Sequence, residues 1–288
     1  MEKDILSQIK TAIPTFSKGQ RLIAQYITEN FDKAAFLTAG KLGKNVGVSE
    51  STVVRFAAEL GYDGYPGMRK ALQDVVRNRL TSVQRIEVAK EMIDDRNVLK
   101  AVLGADIDKL QSTLDEVDQD SFDAAVAAIL NAKNVYIVGM RSSTSLANFM
   151  GFYLNLILSN IRLIHDTSVS EVYEQIFRIG EGDVFIGISY PRYSSRTVKA
   201  MQFAKSTGAT VIGLTDGPGS PFVELADINL FAKSDMVSFL DSLVAPMSLI
   251  NALIVSIGIR HSESLSETFR KLEGIWSDYD VYETTPEN

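Results

Sequence analysis

The chain of 288 residues contains no cysteine. That excludes a disulfide framework, a thiolate nucleophile and any thiolate-held zinc or iron–sulfur centre. Histidine is almost as scarce, with only His165 and His261. A multi-histidine metal site is therefore not expected, and no metal or cofactor is assigned. Long apolar runs are missing as well: Met247–Ile259 covers 13 residues and is interrupted by Ser248, Asn251 and Ser256, short of the roughly 20 that a helical membrane span needs. The first ten residues hold no apolar leader, so a soluble, cytoplasmic protein without a membrane partner is the expectation. No nucleotide-binding P-loop or metal-ligand pattern is found.

What is present is an ordinary globular composition, 45% hydrophobic and 23% charged, in a length suited to about two domains. The charge is uneven. Against a net −7 overall, residues 1–80 carry 12 basic and 8 acidic side chains, and the remainder carries 17 and 28. Only the N-terminal quarter suits a polyanion, unless its lysines are simply a solvated face.

That quarter reads as helices separated by short turns. Ser17 with Gln20 forms a capping box ahead of Ile23, Tyr26, Ile27 and Phe31 at helical spacing. Thr38 caps a second helix with Leu42 on its apolar face, and the run breaks at Val46-Gly47-Val48. Ser49 caps a third, Glu50 to Leu60, with Val53, Val54, Phe56, Ala57 and Leu60 expected in one stripe and Gly61 as its stop. A further helix runs from Pro66 to about Arg79, with Met68, Leu72 and Val75 inward.

Two helices joined at a glycine, with Leu42, Val48 and Val53 closing the wedge, have the geometry of a helix-turn-helix. Ser49, Ser51 and Thr52 cluster hydroxyls beside free backbone amides at the second helix's start, which suits phosphate and groove-edge contacts. Arg55, one turn on, is the candidate for direct contact with a base or phosphate. Lys44, Arg69 and Lys70 are candidates to clamp the flanking backbone. A helical bundle whose serines merely cap remains the alternative. Val48-Ser-Glu-Ser-Thr-Val-Val-Arg-Phe, followed by Glu59-Leu-Gly-Tyr-Asp-Gly-Tyr, resembles the N-terminal domain of RpiR-type bacterial transcription regulators over about 35 residues. It departs at Gly40 and Gly43, where that family usually has helix formers.

Residues 81–133 read as helical linker and lead-in, with Val88, Met92, Val98, Val102, Leu103, Ile107, Leu110 and Leu114 at three-to-four spacing. From residue 134, β-rich runs (135–138, 161–164, 184–188, 211–214 and 228–231) alternate with helical stretches at 144–158, 169–180, 195–207 and 241–259. That alternation predicts a parallel sheet covered on both faces. A possible last helix from Ser262 precedes a polar end at 283–288, expected to fray.

Two strand-loop-helix units carry hydroxyls where such sheets bind anions. The first offers Ser142, Ser143, Thr144 and Ser145. The second offers Ser189, Ser194, Ser195 and Thr197. Plain helix capping is the alternative for either loop. These loops, with 204–216 and 220–227, resemble the sugar-isomerase (SIS) fold over roughly residues 120–260, a phosphosugar-binding α/β domain that usually accompanies the RpiR-type helix-turn-helix. The common G-x-G-x-S here reads Gly139-Met140-Arg141-Ser142-Ser143, and S-x-S-G-x-T reads Ser189-Tyr190-Pro191-Arg192-Tyr193-Ser194. Arg141 and Arg192 thus stand where glycines are usual. They either grip a carboxylate or phosphate through paired hydrogen bonds, or pair with Glu171, Glu174 or Asp166 and fill the pocket.

The expectation is an all-α helix-turn-helix domain (1–80), a helical linker (81–119), an α/β SIS domain with a parallel sheet flanked by helices (120–260), and a C-terminal helix and tail (261–288). The resemblance implies a DNA-binding transcriptional regulator, not an enzyme, controlled by a small anionic sugar derivative, sugar phosphate or sugar acid. Effector contacts would come from Arg141, Ser142, Ser143, Ser189, Arg192, Ser194 and Thr197. Because one helix-turn-helix reads few base pairs, a homodimer or homotetramer on a palindromic operator in double-stranded DNA is expected, with helix 244–259 as its contact. The alternatives are a SIS-fold sugar-phosphate isomerase with a helical appendage, using His165 as base, and a metabolite sensor that binds another protein.

Overall fold

A computed structural model describes residues 5–79, 81–92, 97–165, 168–234 and 240–282. The expected frayed end at 283–288 and the partner Asp166 lie outside these described residues. The chain divides into two compact units: Met1–Gly104 with Asp235–Asp241, and Ala105–Ser234 with Ser242–Asn288.

The first unit is helical. Helix α1 (Ile5–Ala12) leads through a 3-10 turn to α2 (Lys18–Glu29), where Ser17 Oγ accepts from the Gln20 amide and the Gln20 side chain accepts from the Ser17 amide. Both halves of the capping box are therefore made. After the short α3 (Phe31–Ala34) come α4 (Ala39–Val46), capped by Thr38, and α5 (Glu50–Glu59), capped by Ser49. Helix α6 (Gly64–Arg79) and α7 (Ser82–Met92) follow. Ile9, Phe16, Ile23, Ile27, Leu42, Val53, Phe56, Met68 and Leu72 make one fully buried core, with the Phe16 and Phe56 rings 5.0 Å apart. Val54 is not part of it. Contrary to the stripe expected from the sequence, it is exposed on the outer face of α5. Arg85 of α7 is fully buried and donates to both carboxylate oxygens of Asp241 at 3.0 and 3.1 Å.

Helix α8 (Val98–Glu116) links the sequence of the two units, and α9 (Gln119–Asn131) precedes the sheet. Strands β1 (Val135–Gly139), β2 (Ile161–Leu163), β3 (Val184–Ile188), β4 (Thr210–Thr215) and β5 (Ile228–Phe231) are all parallel, in the order β2-β1-β3-β4-β5. Alternate residues feed two cores. Ile137, Ile186, Ile188, Ile212 and Leu214 pack with α9, α10 (Ser143–Ile157) and α13 (Val244–Arg260). Tyr136, Val138, Phe185 and Val211 pack with α11 (Val169–Ile176) and α12 (Ser195–Ser206). Burial on both faces explains the nearly continuous apolar strands.

The helix expected as a dimer contact is mostly core, since Leu249, Ile250, Leu253, Ile254 and Ile257 are buried against its own sheet. Only Val244, Val255 and Ile259 of its large apolar side chains remain exposed. Helix α14 (Ser262–Asp278) buries no residue at all, although Leu265 and Phe269 help line a groove with Tyr153, Ile254, Val255 and Ile259. Among the described residues, no single helix is long and apolar enough to cross a membrane.

Candidate functional site

The helix-turn-helix is set by two glycines. At Gly47 the chain turns with φ +75, a conformation that glycine adopts without penalty;. At Gly43 a Cβ would lie 2.7 Å from the Val48 carbonyl oxygen. By propensity alone Gly43 is merely a weak helix residue. The structure gives it a reason, because only a missing side chain lets the turn approach α4 so closely.

At the start of α5, Ser49 Oγ accepts from the Thr52 amide at 3.3 Å and lies 2.9 Å from Ser51 Oγ and 2.8 Å from Thr52 Oγ1. The three hydroxyls thus hold one another in place at the positive end of the helix dipole. Arg55 Nε donates to the Ser51 carbonyl at 3.3 Å, which lays the side chain along the same face. Ser49, Ser51 and Arg55 are exposed, as are Lys44 and Lys70, while Thr52 and Arg69 are half-buried. Val54, expected in the core, is the surface residue that hydrophobicity concealed. It stands three residues after Ser51, so a helical wheel places it on this outer face, where an aliphatic side chain suits a thymine methyl.

Behind this face, Tyr65 donates to the Leu37 carbonyl at 2.9 Å. Burial pushes its phenol up to about 12, with the Arg69 guanidinium acting in the opposite sense. Arg69 is thus electrostatically tied to the packed side of α6, unlike Lys70.

In the second unit, the strand order reverses direction at β1 and β3, where Gly139 pairs with Ile188. That switch point is where open parallel sheets bind ligands. The two hydroxyl-bearing loops leave these two strand ends and are joined by Ser194 Oγ donating to Met140 Sδ at 3.4 Å. Gly139 is obligatory for the first loop: a Cβ there would sit 2.4 Å from the Ser143 carbonyl oxygen. Ser143 and Ser189 are buried, and Ser142 is exposed and caps nothing with its side chain. Ser189 Oγ accepts from the Ser194 amide at 3.0 Å, and Ser194 Oγ accepts from the Thr197 amide at 3.3 Å.

Two buried hydroxyls in the second loop and its helix find no hydrogen-bond partner among the described residues: Thr197 Oγ1 and Tyr190 Oη. An unsatisfied buried polar group costs about 1–3 kcal/mol. Burial, with the Asp216 charge adding to it, drives the Tyr190 phenol far above its ordinary range, so it stays a proton donor. Tyr190 was not among the expected site residues, and no periodicity marks its burial. Nor was the polar cluster after β4 expected, where Tyr193 donates to Asp216 at 2.8 Å beside Thr215 and Ser220.

Arg141 and Arg192 are exposed and both adopt left-handed backbone, φ +57 and +62. Each such residue with a side chain costs roughly 1–2 kcal/mol. Neither Glu171 nor Glu174 makes an ion pair among the described residues. His165 is exposed, with its backbone amide and carbonyl bonded to Gln175. Among the described residues, no group of three acidic or histidine side chains is placed to hold a metal.

Comparison with known proteins matches the helix-turn-helix domain of the rpiR family over residues 3–79 and the SIS domain over residues 128–256. An uncharacterized HTH-type transcriptional regulator of Caldanaerobacter subterraneus is 26% identical, over 92% of this chain and 96% of its own length. The HTH-type transcriptional regulator HexR of Pseudomonas aeruginosa is 24% identical, over 94% and 95%. Among solved structures, the sugar isomerase domain of an RpiR transcription factor from Sphaerobacter thermophilus has a TM-score of 0.58 and 28% identity, covering 62% of this chain and 98% of that one. The Vibrio vulnificus NanR protein, solved in complex with ManNAc-6P, has a TM-score of 0.56 and 22% identity, over 96% and 98%. The chain belongs to the RpiR family of helix-turn-helix, DNA-binding transcriptional regulators that carry a C-terminal SIS domain, and it is a regulator rather than an enzyme.

Proposed function

We propose that α5 reads the major groove of an operator, through Ser49, Ser51, Thr52 and Arg55 with Lys44, Arg69 and Lys70 on the flanking phosphates. The SIS loops hold a small anionic sugar derivative that controls this binding. The observation that carries the reading is the exposed, preorganised edge of α5, presented by a glycine turn in the only basic quarter of the chain. In this reading residues 1–80 are the DNA-reading domain, 81–119 the linker, 120–260 the sensor, and 261–288 the C-terminal helix and tail, in a cytoplasmic protein controlling carbohydrate metabolism genes.

For the effector, Ser142, Ser143, Ser189, Ser194 and Thr197 surround the switch point, and the spare hydroxyls of Thr197 and Tyr190 are suited to a ligand's oxygens. The sugar phosphate bound to NanR in its complex supports an ester of phosphate as the ligand class. The protein acts as a homodimer or homotetramer on a palindromic site, since two reading heads multiply affinity. The apolar groove between α10, α13 and α14 supports such association, as do Leu99, Leu103, Ile107 and Leu114, exposed along α8. An effector that prefers one arrangement of the subunits then shifts operator occupancy by its differential affinity.

Mobility shift of the full chain on fragments of its own genome tests the first half. Salt-sensitive binding that Arg55→Ala abolishes is expected. Absence of affinity for any double-stranded fragment would overturn it. Calorimetry with sugar phosphates and sugar acids tests the second half, and silence across both classes would remove the effector.

A further inference from the structure

We infer that Val54 is a specificity residue of the reading helix: it packs against the 5-methyl group of a thymine in the major groove, so that each operator half-site carries an A·T pair at the position facing it. The inference rests on the groove-reading role of α5 proposed above and narrows that role to a base.

A single exposed valine on a protein surface is ordinary, but the surroundings of this one are not. Val54 is 40% exposed in the middle of α5. Three- and four-residue spacing places it in one outward row with Ser51 and Ala58, both exposed;. Neither neighbour in that row has a long side chain to hold a base edge away from it. The two acids of α5 are drawn off this row. Glu50 leans back onto α4, with its Oε2 3.0 Å from where a Cβ on Gly40 would stand, and Glu59 Oε2 accepts from Gln20 Nε2 of α2 at 3.3 Å. Arg55 folds back along the helix, its Nε donating to the Ser51 carbonyl at 3.3 Å. What faces outward is a short aliphatic surface between hydroxyls and a guanidinium, with the carboxylates turned aside.

The chemistry of the groove selects the partner. A valine side chain has no hydrogen-bonding atom, and among the groups that distinguish base pairs in the major groove the thymine 5-methyl is the apolar one. Opposite a purine the same side chain would cover N7 and O6 or N6 without satisfying them. Branching at Cβ holds valine in one rotamer on a helix, so little freedom is lost on contact. The hydroxyls of Ser49, Ser51 and Thr52, fixed on one another at 2.8 and 2.9 Å, supply polar contacts one turn earlier. A hydroxyl both donates and accepts and so discriminates poorly between bases. Val54 adds the discrimination they lack.

The full chain is used to enrich bound duplexes from a random-sequence pool, and each thymine of the enriched duplex is then replaced singly by uracil. That exchange removes the methyl and keeps every hydrogen-bonding group of the base. Mobility shift with the wild type is expected to show about a fourfold loss of affinity at one thymine of each half-site. At that position Val54→Ala binds the thymine and uracil duplexes equally, whereas Val54→Ile keeps the preference. Folding is not at risk, because the position is exposed and alanine is the best helix former. Indifference of the wild type to uracil at every position overturns the inference while leaving the groove-reading role of α5 standing. A thymine preference that Val54→Ala retains in full also overturns it, since another side chain then meets the methyl. If no duplex is enriched from the pool, the operator reading fails and takes this inference with it.

Discussion

The reading unit and the sheet unit solve the same backbone problem in opposite ways. Each turns its chain through residues at positive φ. The first does so with Gly47, and a second glycine, Gly43, lets the turn close against α4. The second does so with arginines at φ +57 and +62. In the reading unit the turn is scaffold and the chemistry sits one residue or more beyond it, on α5. In the sheet unit the residues at those positive φ values are exposed and carry charged side chains. Glycine takes that conformation without penalty, whereas an arginine in it carries roughly 1–2 kcal/mol of strain.

The heaviest blow to that contrast is one that removes the scaffold beneath the reading face. Phe56→Ala empties a fully buried position against Phe16, and a loss of about 3–5 kcal/mol is expected. Hydrogen exchange should show the first unit opening while the sheet strands keep their protection; equal loss in both would undo the division between them.

A smaller effect is expected at high pH. Tyr65 has its phenol raised to about 12 in the fold, against about 10 when unfolded. Its contribution is therefore complete below pH 10 and is lost as pH rises through 12, on the order of 2–3 kcal/mol. Urea midpoints of the wild type should fall across that window, and Tyr65→Phe should flatten the fall.

Gly43→Ala tests the close approach itself. Its Cβ would meet the Val48 carbonyl oxygen at 2.7 Å, so α4 and α5 separate, at about 1–3 kcal/mol. Operator affinity drops with it, measured by mobility shift, while sugar-phosphate binding does not.

The smallest and sharpest test exchanges the two solutions. Gly47→Arg should destabilise the first unit by about 1–2 kcal/mol, whereas Arg141→Gly should leave thermal stability unchanged or slightly raised. Destabilisation by both would mean that Arg141 stabilises the sheet unit by contacts of its own.

Much of the architecture could be read in the residues because local rules and global burial agree. Ser17, Thr38 and Ser49 cap the helices they precede, and all five strands fall on β-rich runs, with alternate residues of β1, β3 and β4 serving two cores. The misses have physical causes. Val54 is as hydrophobic as its buried neighbours, and only its angle on the helix sets it outside the stripe. The close packing at Gly43 depends on a carbonyl five residues away, which no propensity encodes. Nothing in the letters announces the backbone sign of Arg141 and Arg192, since arginine rarely adopts it. Only the resemblance to a glycine-bearing motif pointed to those positions.

Arg85 and Asp241 have a practical consequence for anyone dissecting the protein. Both belong to the first compact unit, although they stand 156 positions apart in the sequence. An expression fragment ending at residue 104 would strand a buried guanidinium without its counter-ion. A self-sufficient DNA-reading fragment therefore has to restore that carboxylate or replace Arg85 with an apolar residue of similar volume.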